Sequence, residues 1–130
     1  MVPPPAPRTV LLVEDSIEVA RRVAGELSEI DGLRVIGPAA CGADALQLFK
    51  ESGPDAAVLD IGLPDISGID VLAAIRSDRS PCFVVMFTSN ADDGVRARCE
   101  ELGADRFVSK RSGVRELVRT LRDWMTDADG

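Results

Sequence analysis

The chain has 130 residues, of which 45% are hydrophobic and 28% charged, and its formal net charge is −7. This length is typical of one globular domain with its own core, and the acidic balance argues against nucleic acid or an anionic membrane as the main partner, since both need a basic protein face. Histidine is absent and the three cysteines lie far apart, which excludes histidine-based catalytic pairs, argues against a zinc site and predicts three free, buried thiols.

Both ends of the chain are expected to lie outside the folded domain. Residues 1–7, MVPPPAP, are too rich in proline to pair as a strand and predict a disordered tail. No apolar run approaches the ~20 residues of a membrane span, and the amino terminus lacks the basic and apolar regions of a signal peptide. We therefore expect a cytoplasmic protein with one domain over residues 8–126, a flexible end at 127–130 and no contact with a membrane.

Five short segments predict strands, because they are apolar and rich in β-branched residues. They cover residues 9–13, 33–37, 56–60, 82–88 and 105–109. The first is followed by Asp15 or Ser16, either of which can cap a helix.

Each strand is followed by apolar residues at helical spacing, which predicts five helices. The second helix covers residues 42–52 and ends at Gly53, and the third covers residues 68–76. The other three helices are recognised by apolar stripes: Ala20, Val23, Ala24 and Leu27; Val95, Cys99 and Leu102, ended by Gly103; and Val114, Leu117, Val118 and Leu121. Alternating strands and helices predict an α/β fold with a parallel sheet covered on both faces.

Four of the five predicted strands end in polar residues or are followed closely by them. They are Glu14 and Asp15, Asp60, Thr88, and Lys110. Sites in open parallel sheets lie beyond the carboxyl ends of the strands, so these side chains would converge if the second strand lies at an edge. Taken singly, each has an ordinary role as a helix start, a turn or a surface position, and their convergence favours a functional site.

The chemistry of this set indicates a cation and a phosphoryl group. Three clustered carboxylates repel one another and resist ionising together unless a cation is present. A few oxygen ligands with room for water favour Mg²⁺ over Ca²⁺, and the carbonyl of Gly62 could add another. A cation with Lys110 would clamp a phosphoryl group, to which Thr88 could donate a hydrogen bond. Asp60, at the end of a central strand, is the best candidate for a nucleophile that forms an aspartyl phosphate.

Four stretches of the sequence resemble the receiver domain of bacterial two-component response regulators. These are VLLVEDS, VLDIGLPDISGIDVL, FTS and GADRFVSK, and the likeness covers about residues 9–125. The resemblance implies a flavodoxin-like, doubly wound α/β fold with five parallel strands in the order 2-1-3-4-5 and five helices.

The resemblance also implies a role for each acidic residue. Asp60 would be the phospho-acceptor and, with Asp15, a direct ligand of Mg²⁺. Glu14 would bind the ion through water, and Gly62 would offer its backbone carbonyl.

The remaining implied roles concern the phosphoryl group and its partners. Thr88 and Lys110 would bind phosphoryl oxygens, and Phe107 would turn inward as Thr88 moves. The face formed by the fourth helix, fifth strand and fifth helix would then change shape. An unidentified downstream partner, or a second copy of the chain in a homodimer, would bind the changed face. The donor would be a sensor histidine kinase or a histidine phosphotransfer protein, and the domain would promote its own phosphorylation and dephosphorylation.

The sequence departs from the family pattern beside the site. The family commonly has a cis proline after the lysine, whereas Arg111 follows Lys110 here, and a cis bond without proline costs about 2.5–4 kcal/mol. Gly62 and Asn90 stand where other members often carry larger or charged groups, so both positions would influence how fast water attacks the phospho-aspartate.

Several features have two interpretations. Phe107 is either a switch residue or a buried core aromatic, and Trp124 belongs either to the core or to a partner surface. A set of basic residues near the last helix forms either a solvated face or a patch for an acidic partner: Arg111, Arg115, Arg119 and Arg122.

Three other functions compete with a receiver. A Mg²⁺-dependent phosphatase with an aspartyl nucleophile needs a second acid close after the nucleophile, but the next one after Asp60 is Asp65. A flavin mononucleotide carrier needs a phosphate cradle after the first strand, where this chain is acidic. A phosphorylation-independent interaction module would not need the full acidic set. The chain could be a complete regulator or the receiver of a longer one.

Overall fold

The computed structural model describes residues 6–129, with the side chains of residues 6–127. Five parallel strands form one sheet in the order β2-β1-β3-β4-β5. Their bounds are β1 Arg8–Val13, β2 Leu33–Ala39, β3 Ala56–Leu59, β4 Phe83–Thr88 and β5 Arg106–Ser109. This confirms the predicted fold class and places β2 at an edge.

Five α-helices alternate with the strands, as predicted. Their bounds are α1 Ile17–Ser28, α2 Gly42–Ser52, α3 Gly68–Ser77, α4 Asp93–Glu101 and α5 Val114–Asp129. A short 3₁₀ turn, Lys110–Ser112, precedes α5 and was not predicted. Within the described residues, no helix combines the length and the apolar character needed to cross a bilayer.

The sheet separates two apolar cores, because the strands bury side chains on both faces. Val10 and Leu12 of β1 pack with α1 and α5, whereas Leu11 and Val13 pack with α2, α3 and α4. All four side chains are at most 1% exposed, and full burial of such a residue contributes roughly 1.5–3 kcal/mol. The two cores therefore hold the central strands, and the residues that end them, in fixed positions.

The strand and helix ends differ slightly from the predicted ones. β2 continues through Gly37 and Pro38, which are joined by a cis peptide; an edge strand tolerates proline because its missing amide can lie on the solvent side. Residues 1–5 of the expected tail and Gly130 lie outside the described residues, and α5 continues to Asp129, beyond the expected end of the domain at residue 126.

The expectation of three buried free thiols holds for two of them. Cys82 and Cys99 are free and buried, and burial raises the pKa of Cys82 to about 12. Cys41 is free but only half-buried, because it lies in the loop position that precedes α2.

Candidate functional site

The ends of β1 and β3 fix Glu14 and Asp60 side by side. Val13 pairs with Leu59 in the parallel register. This pairing continues one residue further, because the amide of Asp60 donates to the carbonyl oxygen of Val13 at 3.1 Å. On its other side β1 is extended in the same way towards β2, where the amide of Glu14 donates to the carbonyl oxygen of Ala39 at 2.9 Å. Each carboxylate is thus the first residue beyond a buried strand.

Three carboxylates meet at this edge of the sheet. Oxygen atoms of Glu14, Asp15 and Asp60 lie within 4.8 Å of one another. Glu14 is 3% exposed and Asp60 is 6% exposed, whereas Asp15 is exposed to solvent. The predicted convergence of these three residues is therefore found.

Lys110 bridges the two buried carboxylates. Its Nζ lies 2.7 Å from Glu14 Oε1 and 2.9 Å from Asp60 Oδ2. Burial by itself would lower the pKa of Lys110, but hydrogen bonds to Glu14 and Asp60 outweigh it and raise the pKa. Burial also raises the pKa of Glu14, although the bonds from Lys110 and from the Ser16 amide, 3.0 Å away, oppose that shift. The ammonium is thus held charged against the carboxylates.

The donor set fits a small divalent cation. Three carboxylates face one ammonium, so negative charge remains uncompensated when all the groups are ionised. All candidate ligands are oxygen atoms, and the exposure of Asp15 leaves room for water, which is the environment that Mg²⁺ prefers.

The loop after β3 holds Asp60 through backbone contacts. The amide of Gly62 donates to Asp60 Oδ1 over a long 3.4 Å. At Gly68, the first residue of α3, an added β-carbon would overlap the carbonyl oxygen of Asp60. Ser67 and Asp70 form a reciprocal cap at the start of α3. The start of α3 is therefore packed directly against the backbone of Asp60, a constraint that the sequence analysis missed.

Asp65 ties the same loop to the start of α2. Its carboxylate accepts from the amides of Gly42, at 2.7 Å, and Ala43, at 2.9 Å. These bonds lower the pKa of Asp65 to about 2. Since Cys41 makes no side-chain cap, Asp65 supplies from a distance the cap that α2 lacks. In the sequence, Asp65 stands out only as the next acid after Asp60.

Thr88 and Phe107 lie on the neighbouring strands β4 and β5. Thr88 is buried, and its hydroxyl accepts from the amide of Asn90 at 3.2 Å. Phe107 is half-buried at the edge of the core, with the guanidinium of Arg96 5.4 Å from its ring centre. Phe107 is thus neither fully buried nor fully exposed, and its position does not decide between a switch residue and a core aromatic.

The loop after Lys110 is a trans turn. Within residues 6–129 the one cis peptide joins Gly37 to Pro38, so the bond between Lys110 and Arg111 is trans. The Ser109 hydroxyl accepts from the Arg111 amide at 3.1 Å and caps the 3₁₀ turn. The non-proline residue after the lysine is therefore accommodated by a local turn.

The remaining features lie away from the carboxylates. Trp124 is half-buried and stacks on Phe83, with ring centres 5.4 Å apart, so it packs against the core. The basic residues near α5 are all exposed: Arg111, Arg115, Arg119 and Arg122.

Comparison with known proteins identifies relatives of the chain. Residues 10–122 match the family described as response regulator receiver domain. The chain is 40% identical to a putative transcriptional regulator of Pseudomonas aeruginosa, over 84% of this chain and 52% of that protein. It is 32% identical to the response regulator GacA of the same organism, over 87% and 53%. The chain thus spans about half the length of these curated relatives.

A solved structure shares the whole architecture. The signal receiver domain of a putative Luxo repressor protein from Vibrio parahaemolyticus superposes with a TM-score of 0.86 and 28% identity. The match covers 95% of this chain and 93% of that one.

Proposed function

This chain belongs to the family of response regulator receiver domains, and on that premise we propose that Asp60 accepts a phosphoryl group from the phosphohistidine of a sensor histidine kinase or a histidine phosphotransfer protein. The observation that carries the proposal is the contact of Lys110 with Asp60 and Glu14 inside the acidic cluster. It supplies, at one edge of the sheet, a carboxylate nucleophile and a cation for phosphoryl oxygens.

Of the two buried carboxylates, Asp60 has the freer oxygen. Its Oδ2 is held by Lys110, while its Oδ1 makes only the long contact with the Gly62 amide. Glu14 is engaged by both Lys110 and the Ser16 amide. In the transfer, an Asp60 oxygen forms a bond to phosphorus while the phosphorus–nitrogen bond breaks and its electron pair returns to the imidazole of the donor.

The metal ligands in this proposal are Asp15, Asp60 and the carbonyl of Gly62, with Glu14 acting through water. Bound Mg²⁺ would neutralise charge on the carboxylates and on the incoming phosphoryl oxygens. Lys110 would move its hydrogen bonds from the carboxylates to a phosphoryl oxygen, and the Thr88 hydroxyl would donate to another.

The output of the reaction would be a change in the face formed by α4, β5 and α5. When the Thr88 hydroxyl turns to the phosphoryl group, it releases the Asn90 amide and leaves space beside β5. Phe107 would turn into that space and leave its contact with Arg96. A downstream partner, or a second copy of the chain, would bind the altered face.

The same contacts favour a signalling module over a phosphatase. Asp65, the next carboxylate after Asp60, is bound to the amides at the start of α2 and so is not placed to protonate a leaving group. We propose that the receiver begins at residue 8 and extends past the expected residue 126 to the end of α5, that it acts in the cytoplasm, and that it promotes its own phosphorylation and dephosphorylation.

Intact-mass measurement tests the proposal. The full chain, incubated with acetyl phosphate and Mg²⁺, should gain one phosphoryl group, and Asp60→Asn should gain none. The matched control is Asp44→Asn, which removes an exposed carboxylate on α2 and should leave the modification intact. Equal phosphorylation of Asp60→Asn and the native chain would reject Asp60 as the acceptor.

A further inference from the structure

One guanidinium connects α3 to the elements around α4. Arg76, near the end of α3, donates from Nε to the carbonyl oxygen of Gly103 at 2.9 Å. Its Nη1 donates to the carbonyl oxygens of Ser80, at 2.9 Å, and Cys82, at 2.8 Å. Its Nη2 lies 2.9 Å from Asp105 Oδ2. The side chain therefore engages the loop between α3 and β4, the turn after α4 and the residue before β5.

The lack of a side chain at Gly103 allows the close approach of Arg76. Its φ is +100°, and a β-carbon there would lie 3.0 Å from Arg76 Nε and 3.2–3.3 Å from two side-chain carbons of Arg76. Its amide donates to the carbonyl of Glu100 at 3.0 Å, and the amide of Ala104 donates to that of Cys99 at 3.0 Å. These two bonds cap the carboxyl end of α4. The hydrogen bond from Arg76 is therefore made to the terminus of that helix.

Asp105 extends the connection into the sheet. Its Oδ2 accepts from the amide of Val84 at 2.8 Å as well as from Arg76. Its own amide donates to the carbonyl of Val84 at 2.9 Å. Charge-assisted bonds of this kind are roughly twice as strong as neutral ones. The carboxyl end of α4 is thus fastened to both α3 and β4.

The amino end of α4 is held differently. Its cap is local, because Asp92 Oδ1 accepts from the amides of Gly94, at 2.8 Å, and Val95, at 3.1 Å. Residues 89–92 before it are all exposed. The one fully buried residue of α4 is Cys99, in its carboxyl half. The two ends of this helix are therefore held very unequally.

We propose that Arg76 is a positioning residue that anchors the carboxyl end of α4 to α3, so that α4 moves at its amino end only. Because α3 begins against the Asp60 backbone, the anchor is fixed to the site itself. The part that concerns phosphorylation rests on the proposed function: the rearrangement would be confined to residues 89–98, with residues 102–104 as the pivot.

Residue-resolved hydrogen exchange tests the anchor without any phosphoryl group. In the native chain, the amides of residues 102–104 should exchange more slowly than those of 96–98. Arg76→Met should speed exchange at 102–104 by about tenfold or more, the effect of losing a hydrogen bond to a charged group, and so remove the difference. The control is Arg98→Met, which removes an exposed arginine of α4 whose ion pair with Glu101 is a long 3.8 Å; it should leave the difference in place.

Repeating the measurement with Mg²⁺ and beryllofluoride tests the pivot. Changes should appear in residues 89–98 of the native chain, spare 102–104, and spread to 102–104 in Arg76→Met. If Arg76→Met does not fold, Asp105→Asn serves instead, since it removes the ionic partner but keeps an oxygen for the Val84 amide. Exchange that is uniform along α4 in the native chain, or unchanged by the variants, would overturn the anchor. If the first measurement shows the expected slow exchange at residues 102–104, but beryllofluoride changes the exchange of no residue around Asp60, the result would count against the proposed function and not against the anchor.

Discussion

Gly68 lies so close to Asp60 that a β-carbon at position 68 would overlap the carbonyl oxygen of Asp60. The first turn of α3 is therefore packed, backbone against backbone, on the proposed acceptor. Because backbone atoms form both sides of this contact, no flexible side chain can yield to relieve it.

Gly68→Ala should therefore destabilise the fold and displace Asp60. We expect a loss of about 3 kcal/mol, at the upper end of the range for overpacking, together with slower phosphoryl uptake from acetyl phosphate. Urea denaturation and intact-mass time courses would measure the two effects. Gly25→Ala is the control, since a β-carbon there meets nothing within 4 Å; a Gly68→Ala protein as stable as this control would contradict the packing argument.

Lys110→Met should lower stability and increase the response to Mg²⁺. The substitution leaves Glu14 and Asp60 facing each other without their shared cation. Breaking a buried ion pair costs about 3 kcal/mol at the lower end of its range, which suits a lysine that is 21% exposed.

Thermal melts with and without Mg²⁺ would measure this response. The increase in Tm caused by Mg²⁺ should be larger in Lys110→Met than in the native chain, since a bound cation would replace the lost ammonium. An equal or smaller increase in Tm would show that Lys110 does not reduce the repulsion between the carboxylates.

Millimolar Mg²⁺ should raise the Tm of the native chain, because a ligand that binds only the folded state stabilises it by mass action. Asp15→Asn removes the exposed member of the acidic cluster and should reduce the shift. Asp44→Asn, on α2, should retain it. Calorimetry of the three proteins gives the comparison, and a shift of the same size in all three would place the ion elsewhere.

The thermal stability of the chain should depend on the ionisation of Asp65 at acid pH. Hydrogen bonds from the Gly42 and Ala43 amides lower its pKa from 3.8 to about 2. A carboxyl with a depressed folded-state pKa contributes stability that is complete above the unfolded value and is lost as the pH falls through the folded value. The Tm difference between the native chain and Asp65→Asn should thus be constant above about pH 5 and shrink between pH 4 and pH 2. A difference that stays constant down to pH 2 would mean that the carboxylate is not the cap of α2.

The convergence of the acidic residues was predictable because the end of each strand can be recognised from local sequence alone. An apolar run that ends in Asp60, and another that ends before Glu14, specify where the side chains emerge. Parallel pairing then brings the ends together without further information. The same reasoning brings Lys110 to the carboxylates, which it contacts, and puts Thr88 at the end of the neighbouring strand β4.

Contacts between distant side chains and backbone were not predictable in this way. Asp65 caps a helix that begins 23 residues earlier, and Arg76 bonds to the carbonyl of Gly103, 27 residues later. Neither has a local pattern, because the partner is a main-chain group that any residue carries. Gly68 and Gly103 were the available signals, since each marks a close approach of another group, but a glycine alone does not say which group approaches.

Borohydride trapping tests the central claim most directly. Borohydride reduces an acyl phosphate to an alcohol, so a phosphorylated aspartate becomes homoserine. After treatment of the native chain with acetyl phosphate and Mg²⁺, peptide sequencing by mass spectrometry should find homoserine at position 60, and omission of the phosphodonor should abolish it. Homoserine at Asp15, or at any acidic position other than 60, would contradict the account.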